Sequence, residues 1–534
     1  MTSASLRPVD YFIIGAYFLT TLLVGYTLRK RMVSTTQFFL AGRGLPAIIT
    51  GIAFVSANCG AIEIMGMVST SAKYGVRAAH FYWVGAIPAM LFLALFMMPI
   101  YYCCKVRSVP EFLKLRFDER TRIFNATSFA AMMMLVSGIS LYAMAIVLSS
   151  FLGWGFTTSV FASALIVLCY VSLGGLTATI YNEVLQFLLI VLGFAPLAWY
   201  SLREFHGWAG LSARLAPDLR HAWKGMPVID PTTATMDGVG AVIGLGFVLS
   251  FGYWCTDFLL IQRGLAARNV GAAVATPLIG SVVKLFFPAI VVLPGLAAAA
   301  LFPGEFASRY DLALPSLMSR YYRPGLMGLG VTAMLASFMS GMAGNITAFN
   351  TVFTYDLYQV HLAPRRSDLH YLRVGRITTI VATVASIATA YLVLSFNNLM
   401  DYVQLLFSFF NAPLFATFLL GMFTTWATPW GAFAGLVSGT CGSLIHYLLY
   451  RVHWLPYSSD MTANFYGAIC GWTVCFCVTC VVSAFTDARK PEELAGLVRT
   501  GDNAGSGGAW SLRAAWAASV MILTVAFVLN WIFF

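Results

Sequence analysis

Fourteen apolar stretches follow one another along the chain, and most of them are long enough to cross a lipid bilayer as a helix. About 20 helical residues span the hydrocarbon core of a bilayer, so this pattern leaves little sequence for anything else. Only 10% of the 534 residues are charged, against about 25% in a typical soluble domain. The sequence therefore predicts an all-α polytopic membrane protein with about 14 transmembrane helices. It excludes an ordinary soluble enzyme, a coiled coil and a disordered chain.

The basic residues lie mainly on one side of the predicted membrane. The chain has 32 Lys and Arg against 21 Asp and Glu, a net charge of +11, and 20 of the 32 lie in one alternate set of loops, beginning with Arg29, Lys30 and Arg31. Because cytoplasmic loops are enriched in Lys and Arg, we expect this set to be cytoplasmic and both termini to be extracytoplasmic. The topology of the membrane protein then explains the positive net charge, and we expect no nucleic acid as a partner. We expect the lipid bilayer of a plasma or inner membrane around the chain, and no obligate protein partner.

Ionisable residues within the predicted spans are functional candidates, because a charge at membrane depth is costly. Glu63, Asp257 and Lys284 lie well inside spans, whereas Glu183 and Asp401 lie nearer to span ends, where interfacial caps would also explain them. Lys284 could instead snorkel towards the interface, and Glu63 and Lys284 could form a purely structural pair. We predict that both side chains project into one central cavity, within reach of each other or of one ligand.

Small and polar residues interrupt the second and the ninth predicted spans. In the second, Ser56, Asn58 and Gly60 stand where aliphatic residues would be expected, and a helix unwound there would offer free carbonyls to a cation. In the ninth, hydroxyl and small residues recur from Ser337 to Thr347 at three- and four-residue spacing and so share one face. Such hydroxyls suit a hard cation, which prefers oxygen ligands. Close helix packing is the alternative in both spans.

The seventh predicted span, residues 236–262, carries aromatic and polar residues side by side. Tyr253 and Trp254 precede Thr256 and Asp257. This combination is typical of a pocket that stacks against a polar ligand and hydrogen-bonds it. An aromatic belt at the membrane interface is the alternative.

These blocks, in this order, resemble the sodium:solute symporter family, and in particular its sodium/glucose cotransporter branch. The resemblance is carried by Tyr253-Trp254-Cys255-Thr256-Asp257 with Gln262-Arg263, Lys284-Leu285 with Leu293-Pro294-Gly295, Ser340 leading to Thr354-Tyr-Asp356-Leu-Tyr358, and Asp401-Tyr-Val-Gln404. It implies a LeuT-type fold with a 5+5 inverted repeat. The chain would divide into an extra N-terminal helix with a cytoplasmic loop, a first five-helix repeat, an extracellular loop, a second five-helix repeat and additional C-terminal helices, at residues 1–44, 45–202, 203–235, 236–428 and 429–534.

The resemblance also implies sodium as the coupling ion, with no organic cofactor. By position, its ligands fall on the carbonyls of Ser56, Cys59 and Ser337 and on the hydroxyl of Ser340. A further hydroxyl of the family falls on Gly341, which has none. Ser340 would then supply the only hydroxyl side chain in the set, and coupling to protons instead of sodium stays open.

A substrate site and its gates follow from the same resemblance. The substrate residues would be Asn58, Glu63, Tyr82, Ser250, Tyr253, Trp254, Lys284 and Gln404. The gates would be Tyr253 on the inner side, Met67, Phe81 and Met400 on the outer side, and Glu183 near the cytoplasmic exit. Sugar carriers of this branch have a carboxylate where this chain has Tyr82, and often a histidine where it has Glu63. The carboxylate has therefore moved to another helix.

These residues predict a secondary-active, sodium-coupled symporter, not an enzyme, that imports a small polar solute by alternating access. A sugar or polyol is the expected solute, because a carboxylate can accept hydrogen bonds from two hydroxyls at once. The alternative is a sodium- or proton-coupled carrier of a sugar acid or monocarboxylate, with Lys284 as counter-ion. A transporter-like membrane sensor is a third possibility.

Overall fold

The computed structural model describes residues 6–28, 41–171, 175–306, 308–396, 398–499 and 512–534. Arg29, Lys30 and Arg31, which begin the predicted cytoplasmic set, lie outside the described residues. Within the described ranges the regular elements are helices, and β-type pairing is limited to one isolated bridge between Leu45 and Ala267. The prediction of an all-α chain is confirmed.

Sixteen apolar helical segments of the described chain carry the architecture: α1 (Pro8–Leu28), α2 (Ala47–Asn58), α3 (Ala61–Tyr74), α4 (Phe81–Cys103), α5 (Glu119–Leu152), α6 (Phe156–Val171), α7 (Gly175–Glu204), α8 (Gly240–Thr256), α9 (Phe258–Leu265), α10 (Val270–Leu301), α11 (Leu326–Leu362), α12 (Asp368–Ala390), α13 (Leu399–Phe423), α14 (Pro429–Arg451), α15 (Asp460–Ala484) and α16 (Leu512–Ile532). Shorter helices in the connections cover Val109–Arg116, Trp208–Arg214 and Ala313–Tyr321.

The number of spans that the structure supports is slightly lower than the number predicted. Among the described residues, ten helices are long and apolar enough to cross a membrane, and two bent helix pairs raise the number to 12 if each pair is one span. Two further apolar helices, Pro8–Val24 and Phe156–Leu168, are shorter. The chain is therefore polytopic, and the prediction of fourteen spans depends on whether both shorter helices also cross.

Two spans are broken near their middle. The α2–α3 pair bends by 56° and the α8–α9 pair by 47°. At the first break Gly60 has an extended backbone before α3 begins, as the cluster of small and polar residues predicts. At the second break Asp257 is extended, and its Oδ1 accepts a hydrogen bond from the Leu259 amide at 2.9 Å, which caps α9. Asp257 thus ends one helix and starts another inside the predicted seventh span, and the sequence analysis did not foresee this break.

The helices form an inner group and an outer group. In the most apolar 18-residue windows of α5, α11 and α13, 83%, 89% and 83% of the residues are buried inside the protein, against 22% for α16. Large side chains such as Phe527 and Trp531 on α16 are exposed, and in a membrane they face lipid. Among the described residues, three long apolar helices and the shorter α6 lie between the two broken pairs, a spacing that suits two five-helix repeats. The repeat and its boundaries stay a prediction.

Candidate functional site

A central cavity lies where the two broken pairs meet α4, α10 and α13. All eight predicted substrate residues line it: Asn58, Glu63, Tyr82, Ser250, Tyr253, Trp254, Lys284 and Gln404. The three predicted outer lid residues, Met67, Phe81 and Met400, line the same cavity. Residues that are distant in the sequence are therefore brought together, although the structure alone assigns them no ligand.

The centre of the cavity wall is a buried ion pair. Lys284 Nζ lies 2.6 Å from Glu63 Oε1, and the Tyr82 hydroxyl donates to the same oxygen at 2.6 Å. Lys284 is 1% exposed and Glu63 9%. Glu63 lies in the first turn of α3, where the helix dipole favours a negative charge. The prediction that Glu63 and Lys284 reach each other in one cavity is confirmed.

Two aromatic side chains of α8, Tyr253 and Trp254, line the cavity and pack against neighbouring rings. The Tyr253 ring stacks on Phe407 with a centroid distance of 4.7 Å, and its hydroxyl accepts a hydrogen bond from Asn58 Nδ2 at 3.1 Å. The Trp254 ring packs against Phe54 at 5.6 Å, and Trp254 is 5% exposed. The expectation that Trp254 faces the cavity and not lipid is confirmed.

The four residues predicted to bind sodium lie together where α11 passes the α2–α3 break. The Ser340 hydroxyl donates to the Ser56 carbonyl at 2.9 Å, and the Ser337 hydroxyl donates to the Cys59 carbonyl at 2.8 Å. The Ser56 and Ser340 hydroxyl oxygens are 3.0 Å apart. Ser56 and Ser337 also bring their hydroxyls to this cluster, and the expectation that Ser340 supplies the only hydroxyl ligand stays a prediction. Such a set of hydroxyl and carbonyl oxygens fits a hard cation.

Gly341 is explained by a close crossing of two backbones. A Cβ atom added to Gly341 would lie 2.9 Å from the Cα of Gly60, and one added to Gly60 would lie 3.1 Å from the Cα of Gly341. Real Cβ atoms are rarely so close to backbone. At position 341 the resemblance implies a hydroxyl side chain, whereas this chain has a glycine. The glycine lies where α11 packs directly on the α2–α3 break.

Glu183 lies apart from the cavity. Its two carboxylate oxygens accept hydrogen bonds from Arg263, through Nη2 to Oε1 and through Nε to Oε2 at 3.3 Å, and both side chains are fully buried. Glu183 is not among the lining residues. The ion pair joins α7 to α9, and a gate role for Glu183 stays a prediction.

Two groups of residues at or beside the cavity were not part of the predicted substrate set. Asp257 and Asn345 also line the cavity. Lys73 forms an ion pair with Asp401 at 2.7 Å, and the Tyr74 hydroxyl donates to Asp401 at 3.2 Å, so that α3 is held against α13 beside the lid residue Met400. Asp257 was already a functional candidate as an ionisable residue inside a predicted span, although it was not assigned to the substrate site. For Lys73 the sequence offered no such indication, because the second predicted span ended before this residue.

Comparison with known proteins gives a consistent result. A model of the sodium:solute symporter family matches residues 38–439. Sodium/glucose cotransporter 4 of Danio rerio is 27% identical over 491 residues, which cover 85% of this chain and 73% of that protein. Sodium/myo-inositol cotransporter 2 of Rattus norvegicus is 28% identical over 485 residues, 85% of this chain and 72% of that protein.

Among solved structures, a Na⁺-coupled sialic acid symporter in a substrate-bound outward-open state has a TM-score of 0.78 at 20% identity, covering 91% of this chain and 99% of that one. A nucleobase-cation-symport-1 family transporter, in its inward-facing conformation, has a TM-score of 0.54 at 12% identity, with 85% and 95% covered. At these identities the likeness shows the fold alone.

Proposed function

Because the chain belongs to the sodium:solute symporter family, it is a sodium-coupled solute symporter and not an enzyme, and we propose that it imports a neutral sugar or polyol. The similar proteins named sodium/glucose and sodium/myo-inositol cotransporters support this class of solute. We also propose that it lies in a plasma or inner membrane with both termini extracytoplasmic.

The observation that carries the proposal is the shared oxygen of Glu63. Lys284 and Tyr82 both bond to it, so the ammonium is already neutralised before any solute arrives. A neutral polyol can use the remaining hydrogen-bonding positions of this group without separating the charges. The carboxylate can accept from solute hydroxyls and the ammonium can donate to them, while Trp254 offers a ring face to the apolar C–H surface of a sugar.

An anionic solute suits this arrangement less well. A sugar acid or monocarboxylate would need Lys284 as its counter-ion, but that ammonium lies 2.6 Å from Glu63. Glu63 would then have to be displaced or protonated. The acid carrier therefore remains the alternative, to be separated by a solute screen.

Sodium is proposed to bind at Ser56, Cys59, Ser337 and Ser340. The support is the oxygen set already described, together with its position: Ser56 and Cys59 flank the cavity residue Asn58 at the same break. An ion held there would fix the break in the form that presents Asn58 to the solute. This contact provides a route for coupling, and the membrane potential adds about 2.3 kcal/mol per charge per 100 mV to the driving force.

A thermal-unfolding screen of the purified full chain tests the solute class. We expect D-glucose or myo-inositol to raise the unfolding temperature in sodium buffer and much less in potassium buffer. Gluconate serves as an anionic counterpart of similar size, and lactate as a smaller monocarboxylate. Stabilisation by gluconate or lactate alone would overturn the neutral-solute proposal and favour the acid carrier.

A further inference from the structure

The indole N–H of Trp83 bonds to the main chain next to Lys284. Trp83 is buried but is not one of the described residues that line the central cavity. Its Nε1 donates a hydrogen bond to the Leu285 carbonyl at 3.1 Å. The preceding residue on α4 is Tyr82, whose hydroxyl donates to Glu63. Two consecutive residues of α4 therefore contact both sides of the central ion pair, one at the carboxylate and the other at the backbone beside the ammonium.

The helix α10 is interrupted directly after Lys284. Its first helical segment ends at Phe286 and its second begins at Pro288. Proline has no amide hydrogen, so the Lys284 carbonyl, four residues earlier, cannot receive its usual helical hydrogen bond. The turn from Lys284 to Phe287 is therefore held less firmly by α10 itself, and the indole of Trp83 supplies a bond to this turn from outside.

The same turn places two groups that face each other. Lys284 Nζ lies 2.6 Å from Glu63 Oε1, and the buried Phe287 ring covers the ammonium, with its centroid 4.6 Å from Nζ. The rings of Tyr82 and Trp254 are further away, at 5.3 and 5.8 Å. An aromatic face attracts a cation at such distances. A shift of the turn would therefore disturb the contact of the ammonium with its carboxylate and with the Phe287 ring at once.

Trp83 is itself held by a second ring. It stacks on Phe533, which directly follows α16, with a centroid distance of 5.6 Å and an interplanar angle of 29°. Such a stack restricts the rotation of the indole. The N–H of Trp83 is thereby kept directed at α10.

We propose that Trp83 is a positioning residue of the solute site, which acts through Lys284 and touches neither the solute nor the sodium ion. Its hydrogen bond to Leu285 fixes the interrupted turn of α10 and so holds the ammonium where it neutralises Glu63. The proposal rests on the proposed function in taking this ion pair as part of the solute site. Without the indole N–H the pair separates more easily, and a neutral polyol loses affinity.

The first test uses no solute and measures the unfolding temperature of the purified full chain. Trp83→Phe keeps an aromatic ring and removes the N–H. We expect it to lower the unfolding temperature, and to lower it much less in a chain that also carries Glu63→Gln and Lys284→Met, because that chain has no ion pair to position. Trp472→Phe is the matched control, since the buried Trp472 indole nitrogen has no hydrogen-bond partner among the described residues. Its effect should be the same in both backgrounds.

An equal loss of unfolding temperature by Trp83→Phe in both backgrounds would overturn the proposal, because Trp83 would then act only through packing. If Trp83→Phe does not fold, benzothienylalanine at position 83 takes its place in the same comparison. This residue has the size and shape of tryptophan, with a sulfur atom instead of the N–H. It therefore removes the hydrogen bond and leaves the packing.

The second test measures the binding of myo-inositol, and separately the binding of sodium without solute. The affinity for myo-inositol should fall about tenfold in Trp83→Phe, whereas the half-saturating sodium concentration should stay that of the wild type. Unchanged affinity for myo-inositol, or a parallel loss of sodium affinity, would overturn the proposal. Failure of the wild type to bind myo-inositol would instead count against the proposed solute class, and the unfolding comparison would still decide the role of Trp83.

Discussion

Replacement of Glu63 by Gln separates the charge of this side chain from its shape. The amide can still accept the hydrogen bond from Tyr82, but it no longer compensates Lys284, which is 1% exposed with its Nζ 2.6 Å from Glu63 Oε1. Removing one partner of a buried ion pair costs about 3–5 kcal/mol. We expect the lower end of this range, because an amide oxygen stays within hydrogen-bonding distance and the cavity can admit water.

The same substitution should change which solutes bind. A hydrogen bond to a charged acceptor contributes about 1.5–3 kcal/mol, so a neutral polyol should lose about tenfold or more in Kd. An anionic solute should gain affinity, because the Lys284 ammonium becomes available to it. Competition of glucose, myo-inositol and gluconate against a radiolabelled neutral solute measures both changes, and thermal unfolding in detergent measures the loss of stability.

Two further variants make the reasoning refutable. Glu63→Asp keeps the charge and should retain the preference for neutral solutes. Glu63→Gln combined with Lys284→Met removes both charges, and it should recover much of the lost stability without recovering polyol binding. Unchanged polyol affinity in Glu63→Gln, or a double variant less stable than the single one, would refute the charge-pair account.

Three other substitutions test separate parts of the site. Ser340→Ala should raise the half-saturating sodium concentration about tenfold without changing solute preference, since it removes one oxygen of the ion set; an unchanged sodium activation curve would contradict the assignment. Gly341→Ser restores the hydroxyl of the family, but it should lower the free energy of unfolding by about 1–3 kcal/mol through overpacking against Gly60. It should also weaken the activation of transport by sodium. Tighter sodium binding by this variant would show that the close crossing does not matter. Trp254→Ala should weaken solute binding about tenfold while Trp254→Phe, which keeps a ring, retains most of it; equal binding by both variants would remove Trp254 from the solute site.

The broken second span and the central ion pair could be predicted from the sequence because each follows from a local rule. Gly60 and Asn58 are poor residues for a continuous membrane helix, and the break is found there. Glu63 and Lys284 are too costly to bury separately, and they form a pair. In both cases one or two residues were enough to restrict the structure.

Features that depend on side-chain direction between distant spans could not be predicted in the same way. The Ser56 and Ser337 hydroxyls lie in the proposed ion set only because α11 crosses the α2–α3 break closely, at Gly60 and Gly341. The break at Asp257 was hidden, because a capping carboxylate in an apolar stretch has the same sequence pattern as a functional one.

Concentrative uptake by proteoliposomes containing the full chain tests the central claim most directly. With an inward sodium gradient and a negative interior, radiolabelled glucose or myo-inositol should accumulate above its external concentration, and replacing sodium by potassium on both sides should abolish the accumulation. Accumulation that persists without sodium, or that follows an imposed proton gradient alone, would contradict the account.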